Sequence, residues 1–228
     1  MPSRAPYRVS HVFLDVDGTL VDLRAAFRAG NEAAAARLTE IVGRLVTPSY
    51  LANVRDSITV EPAFRGHPAA AHRAEAMRRV LATVSREDAT DEVVAAYVSA
   101  RNGALSAYDD VTEPLAELHA RGFTLVAATN GDVDLTPLPF ARSIHHTYLA
   151  VDAGIAKPDP RFFLGAMAKV GAQPATSVMV GDRIDNDVAP AVGVGMAGIL
   201  LDRRGEVSDP AIHAIRSLRE LPALLERA

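Results

Sequence analysis

The chain contains no cysteine, which excludes disulfides, thiolate catalysis and cysteine-ligated zinc together. It also lacks any excess of positive charge: 24 Lys+Arg face 28 Asp+Glu, a formal net charge of -4. No overall basic field marks it as a nucleic-acid binder. Long apolar runs are missing as well, so nothing approaches a membrane span. The first apolar stretch is shorter than the ~7 to 15 residues of a signal-peptide core and is interrupted by Asp15. These absences predict a cytoplasmic protein with neither nucleic acid nor membrane as partner. Internal repeats and low-complexity tracts are absent, and only two of the basic residues, Lys157 and Lys169, are lysine.

What is present is a chain of 228 residues, 49% of them hydrophobic, enough for one large domain or a domain with an insert. Short apolar runs recur at HVFL (11–14), TLVAAT (124–129), HTYLA (146–150), SVMVG (177–181) and AGILL (197–201), with helical stretches between them. Strands spaced by helices imply an α/β fold, a Rossmann-like doubly wound parallel sheet. In EPLAELHARGF, Pro114 stands in a first turn, Leu115 and Leu118 share a face and Gly122 is the stop, so this is a helix feeding the strand at 124. The gap before it is too long for one crossover and must hold an inserted module. The expected division is a core of 1–22 and 108–228 with a helical insert at 23–107. Phe27, Ala34, Leu38, Ile41 and Leu45 carry helical spacing there, as do Ala70, Ala74, Met77, Leu81 and Val84. The Pro- and Gly-broken segment 47–68 is expected to be a loop with a short helix.

In open parallel sheets, ligands bind outside the carboxyl ends of the strands. The first run ends in Asp15 and Asp17, within DVDGTL, and the second in Thr129, Asn130 and Gly131. Lys157 follows the third, and Asp182 to Asp187 follow the fourth. Two unit charges 4 Å apart interact by about 4 kcal/mol at an effective dielectric near 20, so such clustered acids repel strongly without a bound cation. A hard divalent ion with oxygen ligands, Mg²⁺, answers that repulsion.

The order DxDGT, TNG, KPDP and GDxxxND resembles the haloacid dehalogenase superfamily, in its phosphatase branch with a helical cap inserted after the first motif. The resemblance spans nearly the whole chain. It implies that Asp15 attacks phosphorus to form an aspartyl phosphate. Asp17 would protonate the leaving alcohol and then activate water, a role that needs its pKa raised from about 3.9 by nearby negative charge. Thr129 and the amides of Asn130 and Gly131 would hold phosphoryl oxygens, and Lys157 would neutralise the nucleophile. The metal would sit on Asp15, the Asp17 backbone carbonyl and Asp182, with Asp187 acting through water or as a partner of Lys157. The implied activity is a Mg²⁺-dependent phosphomonoesterase acting on a small phosphorylated metabolite, with a phosphomutase or a haloalkanoate dehalogenase as alternatives on the same fold. A dehalogenase needs no acid two residues after the nucleophile, whereas this chain has Asp17.

Each piece has a plainer reading. Asp17-Gly18 and Asn130-Gly131 are ordinary turn pairs, and acids at 182–187 suit a helix N-terminus. A lysine in a chain so biased toward arginine points to a need for a compact point charge. Gly193, Gly195 and Gly198 match GxGxxG but stand before a strand, not after one, so they mark a helix stop and a turn. His145 and His146 are adjacent and make a poor ligand pair. Arg24, Arg28, Arg44 and Arg65 are expected to form a solvated helical face, with contact of one or two of them to the substrate as the alternative. Pro137 and Pro139 interrupt the region after TNG, where a shortened or broken element is expected.

Overall fold

A computed structural model describes residues 6–65 and 67–228. Eight strands are present among them: β1 (Tyr7–Val9), β2 (His11–Leu14), β3 (Thr124–Thr129), β4 (His146–Leu149), β5 (Ser177–Gly181), β6 (Ala197–Leu201), β7 (Ala214–Ile215) and β8 (Leu225–Arg227). Six form one sheet in the order β4-β3-β2-β5-β6-β7, every pairing parallel. Strands buried on both faces read as continuous apolar runs, which is why HVFL, TLVAAT and SVMVG carry no polar alternation. The chain builds outward from β2 through β3 to β4, then returns to the other side of β2 with β5. The strand order therefore reverses between β2 and β5, and a crevice lies outside the carboxyl ends at such a point. The remaining strands, β1 and β8, pair in parallel with Tyr7 opposite Leu225.

The chain divides into two compact units, residues 1–21 with 107–228 and residues 22–106. Asp22 belongs with the second because it caps its first helix, accepting from Arg24 N. That unit is all helical: α1 (Leu23–Val42), α2 (Pro48–Thr59), α3 (Ala69–Ala82) and α4 (Thr90–Gly103). Ala34, Leu38, Leu51, Ile58, Met77, Leu81, Val93 and Tyr97 share its core. Gly30 lets α1 and α4 approach, since a Cβ there would lie 2.8 Å from the Tyr97 ring. The helical spacing overreaches at its ends. Gly43 takes a left-handed conformation, with φ 72°, and stops α1, so Leu45 falls beyond the helix and is 76% exposed. Phe27 and Val84 are exposed too. Segment 47–68 is more helical than expected: Pro48 opens a 12-residue α2 capped by Thr47, followed by a 3₁₀ turn at Pro62–Phe64.

In the sheet-bearing unit, α5 (Thr112–Ala120) feeds β3, α6 (Ala150–Ala153) follows β4, α7 (Pro160–Val170) feeds β5, and α8 (Ala189–Gly193) lies before β6. The short α9 (Leu221–Leu224) precedes β8. Phe13, Val126 and Met179 from the sheet pack with Phe162, Phe163 and Met167 of α7. Between β3 and β4 there is no α-helix, only a 3₁₀ turn at Ala141–Ser143, in the stretch that carries Pro137 and Pro139. His145 accepts a hydrogen bond from Leu125 N at 3.1 Å and stacks on His119.

Candidate active site

Asp15 is the first residue past β2, tied to the sheet by its N–H to Val180 O at 2.9 Å, and it is buried. Both of its carboxylate oxygens accept hydrogen bonds. Lys157 Nζ donates to Oδ1 at 2.5 Å, and the buried Thr19 hydroxyl donates to Oδ2 at 3.3 Å. The same ammonium donates to Asp187 Oδ1 at 2.7 Å. Asp187 is fully buried, and its other donors are Asn186 Nδ2 at 3.1 Å and the Arg183 N–H at 3.1 Å. It sits in a single π-helical turn, Ile184–Val188, a form frequent at functional sites. Gly181 makes that placement possible: a Cβ there would lie 2.5 Å from the Asp187 carboxyl carbon.

One ammonium shared between two carboxylates cannot compensate both. Desolvation by burial pushes the Asp15 carboxyl up to about 7; Lys157 opposes the shift and Asp187 adds to it. Burial works against the charge on Lys157, but Asp15 and Asp187 outweigh it and hold its pKa above the usual value. Partial desolvation, then the charge of Asp187, raises Asp182 as well. Oxygens of Asp15, Asp182 and Asp187 lie within 4.8 Å of one another. This set fits a hard divalent cation: all donors are carboxylate oxygens, and the local negative charge exceeds what Lys157 balances.

Asp17 lies on the turn after Asp15, half-buried. Its carboxylate oxygens are 3.3 and 3.5 Å from the point a Cβ on Gly131 would occupy. The β2 and β3 loops thus meet at these two residues. Gly18, with φ 84°, turns the chain against Asp182, whose Oδ2 would be 2.4 Å from a Cβ there. Thr129 is buried, and its Oγ1 accepts from the Gly131 N–H at 2.8 Å. Asn130 turns its side chain to Lys157, pairing with both the N–H and the C=O of that residue. The expected site residues Asp15, Asp17, Thr129, Asn130, Gly131, Lys157, Asp182 and Asp187 therefore gather at the carboxyl ends of β2, β3 and β5. A cavity of about 530 Å³ adjoins them, lined by Gly18, Tyr108, Asp182, Ile184 and Arg203 among others.

Sequence reasoning did not assign Thr19 a role, although it stands inside DVDGTL. The side-chain function of Asn130 and the accommodation by Gly181 were also missed. The only available signal for Gly181 was its place between β5 and Asp182.

The family model for haloacid dehalogenase-like hydrolases matches residues 9–195. The chain is 33% identical over 121 residues to glyceraldehyde 3-phosphate phosphatase of Methanopyrus kandleri, covering 51% of this chain and 52% of that protein. It thus spans about half the length of that relative. Against N-acylneuraminate-9-phosphatase of Homo sapiens it is 27% identical, covering 96% of this chain and 94% of that one. The solved 2-haloacid dehalogenase from Pseudomonas syringae pv. Tomato superposes with a TM-score of 0.82 at 26% identity, covering 95% and 97% of the two chains.

Proposed function

Because this chain belongs to the haloacid dehalogenase-like hydrolases, we propose that it is a Mg²⁺-dependent phosphomonoesterase whose nucleophile is Asp15. The observation that carries this reading is the position of Asp17, whose carboxylate stands against Gly131 beside Thr129. An alkoxide leaving from phosphorus needs a proton, whereas a halide leaving from carbon does not. A second carboxyl beside the nucleophile is therefore of use to an esterase.

In this proposal an Asp15 oxygen attacks phosphorus and the ester P–O bond breaks. Asp17 gives its proton to the departing alkoxide. Asp17 then takes a proton from water as the water oxygen attacks the aspartyl phosphate, releasing Asp15 and inorganic phosphate. Lys157 favours the ionised form of Asp15. The Thr129 hydroxyl and the amides of Asn130 and Gly131 hold phosphoryl oxygens, the Gly131 amide turning from Thr129 Oγ1 to do so. Mg²⁺, when bound by Asp15, the Asp17 carbonyl and Asp182, supplies charge neutralisation between two anions that otherwise repel.

The helical unit is assigned as a cap. Its two connections leave and return where Val21 pairs with Ala107, a few residues beyond Asp17. A cap restricts substrates to small phosphorylated metabolites, and the names of two relatives, a glyceraldehyde 3-phosphate phosphatase and an N-acylneuraminate-9-phosphatase, support that class.

Haloalkanoate dehalogenation is the second reading, favoured by the TM-score of 0.82 to a 2-haloacid dehalogenase. One experiment separates the two. Phosphorylated metabolites and 2-haloacids are offered with Mg²⁺, and inorganic phosphate and halide are measured. Phosphate release over many turnovers supports the proposal and excludes a mutase, which would retain the phosphoryl group in its product. Halide release without phosphate release would replace it with the second reading.

A further inference from the structure

One half-buried cation of the sheet-bearing unit takes no part in the steps above. Arg203 lies just past β6, in the loop beyond its carboxyl end. Its Nη2 donates to Thr19 O at 2.9 Å, its Nη1 donates to Asp110 Oδ2 at 2.6 Å, and its guanidinium carbon stands 4.1 Å from the centre of the Tyr108 ring. The contacts to Thr19 and Tyr108 lead to the loop that carries Asp15. Thr19 donates its hydroxyl to Asp15 Oδ2. The Tyr108 N–H donates to Leu20 O at 3.2 Å. Asp110 is fixed from a third direction, because its Oδ2 also accepts from Ser217 Oγ at 2.8 Å and from the Leu218 N–H at 3.0 Å.

Resting on the phosphatase reading of the site, we propose that Arg203 is a positioning residue for the nucleophile: it fixes Thr19, and through the Thr19 hydroxyl it sets the orientation of the Asp15 carboxylate. The geometry of the ion pair argues against a purely structural role. The pair meets end-on, and among the described residues Arg203 Nε and Asp110 Oδ1 are buried without a hydrogen-bond partner. An unsatisfied buried polar atom is destabilising, and buried ion pairs contribute little stability over apolar replacements. A bidentate pair would satisfy those two atoms but would turn Nη2 away from Thr19. The observed arrangement gives up stability to hold the carbonyl of a residue that touches Asp15.

The test uses the full chain with Mg²⁺ and p-nitrophenyl phosphate, comparing wild type, Asp15→Asn, Arg203→Met, Arg203→Lys, Thr19→Val and the Arg203→Met/Thr19→Val double variant. Arg203→Met is expected to lower kcat by about 10- to 100-fold while KM stays within about threefold, the pattern of an interaction that acts on the chemical step. Thr19→Val should do the same, and the double variant should be no slower than the worse single variant within about threefold, because both act through one contact. Arg203→Lys keeps the charge opposite Asp110 but cannot span Asp110 and Thr19 together. It should therefore also lose kcat at unchanged KM while melting close to wild type, and it decides the matter if Arg203→Met does not fold. Wild-type kcat in a folded Arg203 variant, or losses that multiply in the double variant, would overturn the inference. An inactive wild type, or an active Asp15→Asn, would instead remove the phosphatase reading beneath it.

Discussion

The side-chain amide of Asn130 pairs with the backbone of Lys157 in both directions: Oδ1 accepts from the Lys157 N–H at 2.7 Å and Nδ2 donates to its carbonyl at 2.9 Å. Only an amide can do this, since one end must accept and the other donate. Asn130 thereby fixes the residue whose ammonium bridges Asp15 and Asp187. Asn130→Asp keeps the acceptor, loses the donor and adds a charge. Both it and Asn130→Ala should lower kcat/KM by roughly 10-fold or more, about 1 kcal/mol for each lost bond. Steady-state kinetics on a small ester checks this, and unchanged kinetics in Asn130→Ala would show that Lys157 is held by other means.

Lys157 is the only ammonium between two buried carboxylates among the described residues. Removing one partner of a buried pair costs about 3–5 kcal/mol, because the charge left behind is uncompensated. Lys157→Met should therefore lower the unfolding free energy measured by urea titration by an amount in that range and abolish turnover. An inactive variant of wild-type stability would place the ammonium's value in chemistry alone.

Burial raises the Asp15 carboxyl from 3.8 to about 7. A carboxyl with a higher pKa folded than unfolded holds its proton more tightly in the native state. Its contribution to stability is full below the unfolded value and is lost as pH rises through about 7. In EDTA-treated protein Tm should accordingly fall as pH rises across that window, and Asp15→Asn, with no proton to lose, should flatten the decline. Adding Mg²⁺ should raise Tm most at the alkaline end. A Tm profile identical in wild type and Asp15→Asn would remove the assignment of that titration.

In the proposed role of acid for the leaving alcohol, Asp17 should matter most when the leaving group is basic. Asp17→Asn should lose far more activity on alkyl phosphates than on p-nitrophenyl phosphate. Equal losses across a leaving-group series would assign Asp17 another role.

The proposed cap role carries an expectation of its own, since a cap excludes bulk water and limits substrate size. Small sugar or nucleoside phosphates should be turned over with higher kcat/KM than phosphopeptides of any sequence. Equal or better values on phosphopeptides would contradict the cap assignment for residues 22–106.

The strands β2, β3 and β5 were legible because strands covered on both faces are uninterrupted apolar runs, as in Ser177–Gly181. Two- and three-residue strands left no such mark. Tyr7–Val9 exists through its pairing with Leu225–Arg227, at the far end of the chain, and no local pattern encodes a partner so distant. In the helical unit, spacing alone carried the apolar set to Leu45, although Gly43 already signalled the helix end. The acids of the site were legible from their places after the strands. Their supporting contacts were not: Thr19 to Asp15, Asn130 to Lys157 and Arg203 to Thr19 depend on how loops from different strands meet. Sequence order holds no distance between Thr19 and Arg203.

Whether phosphorus passes through Asp15 is decided by acid quenching during turnover of a ³²P-labelled small ester with Mg²⁺. Label is expected on wild-type protein, acid-stable and released by hydroxylamine, in the peptide that contains Asp15, and none on Asp15→Asn. Turnover without any protein-bound label, or equal labelling of Asp15→Asn, would contradict it.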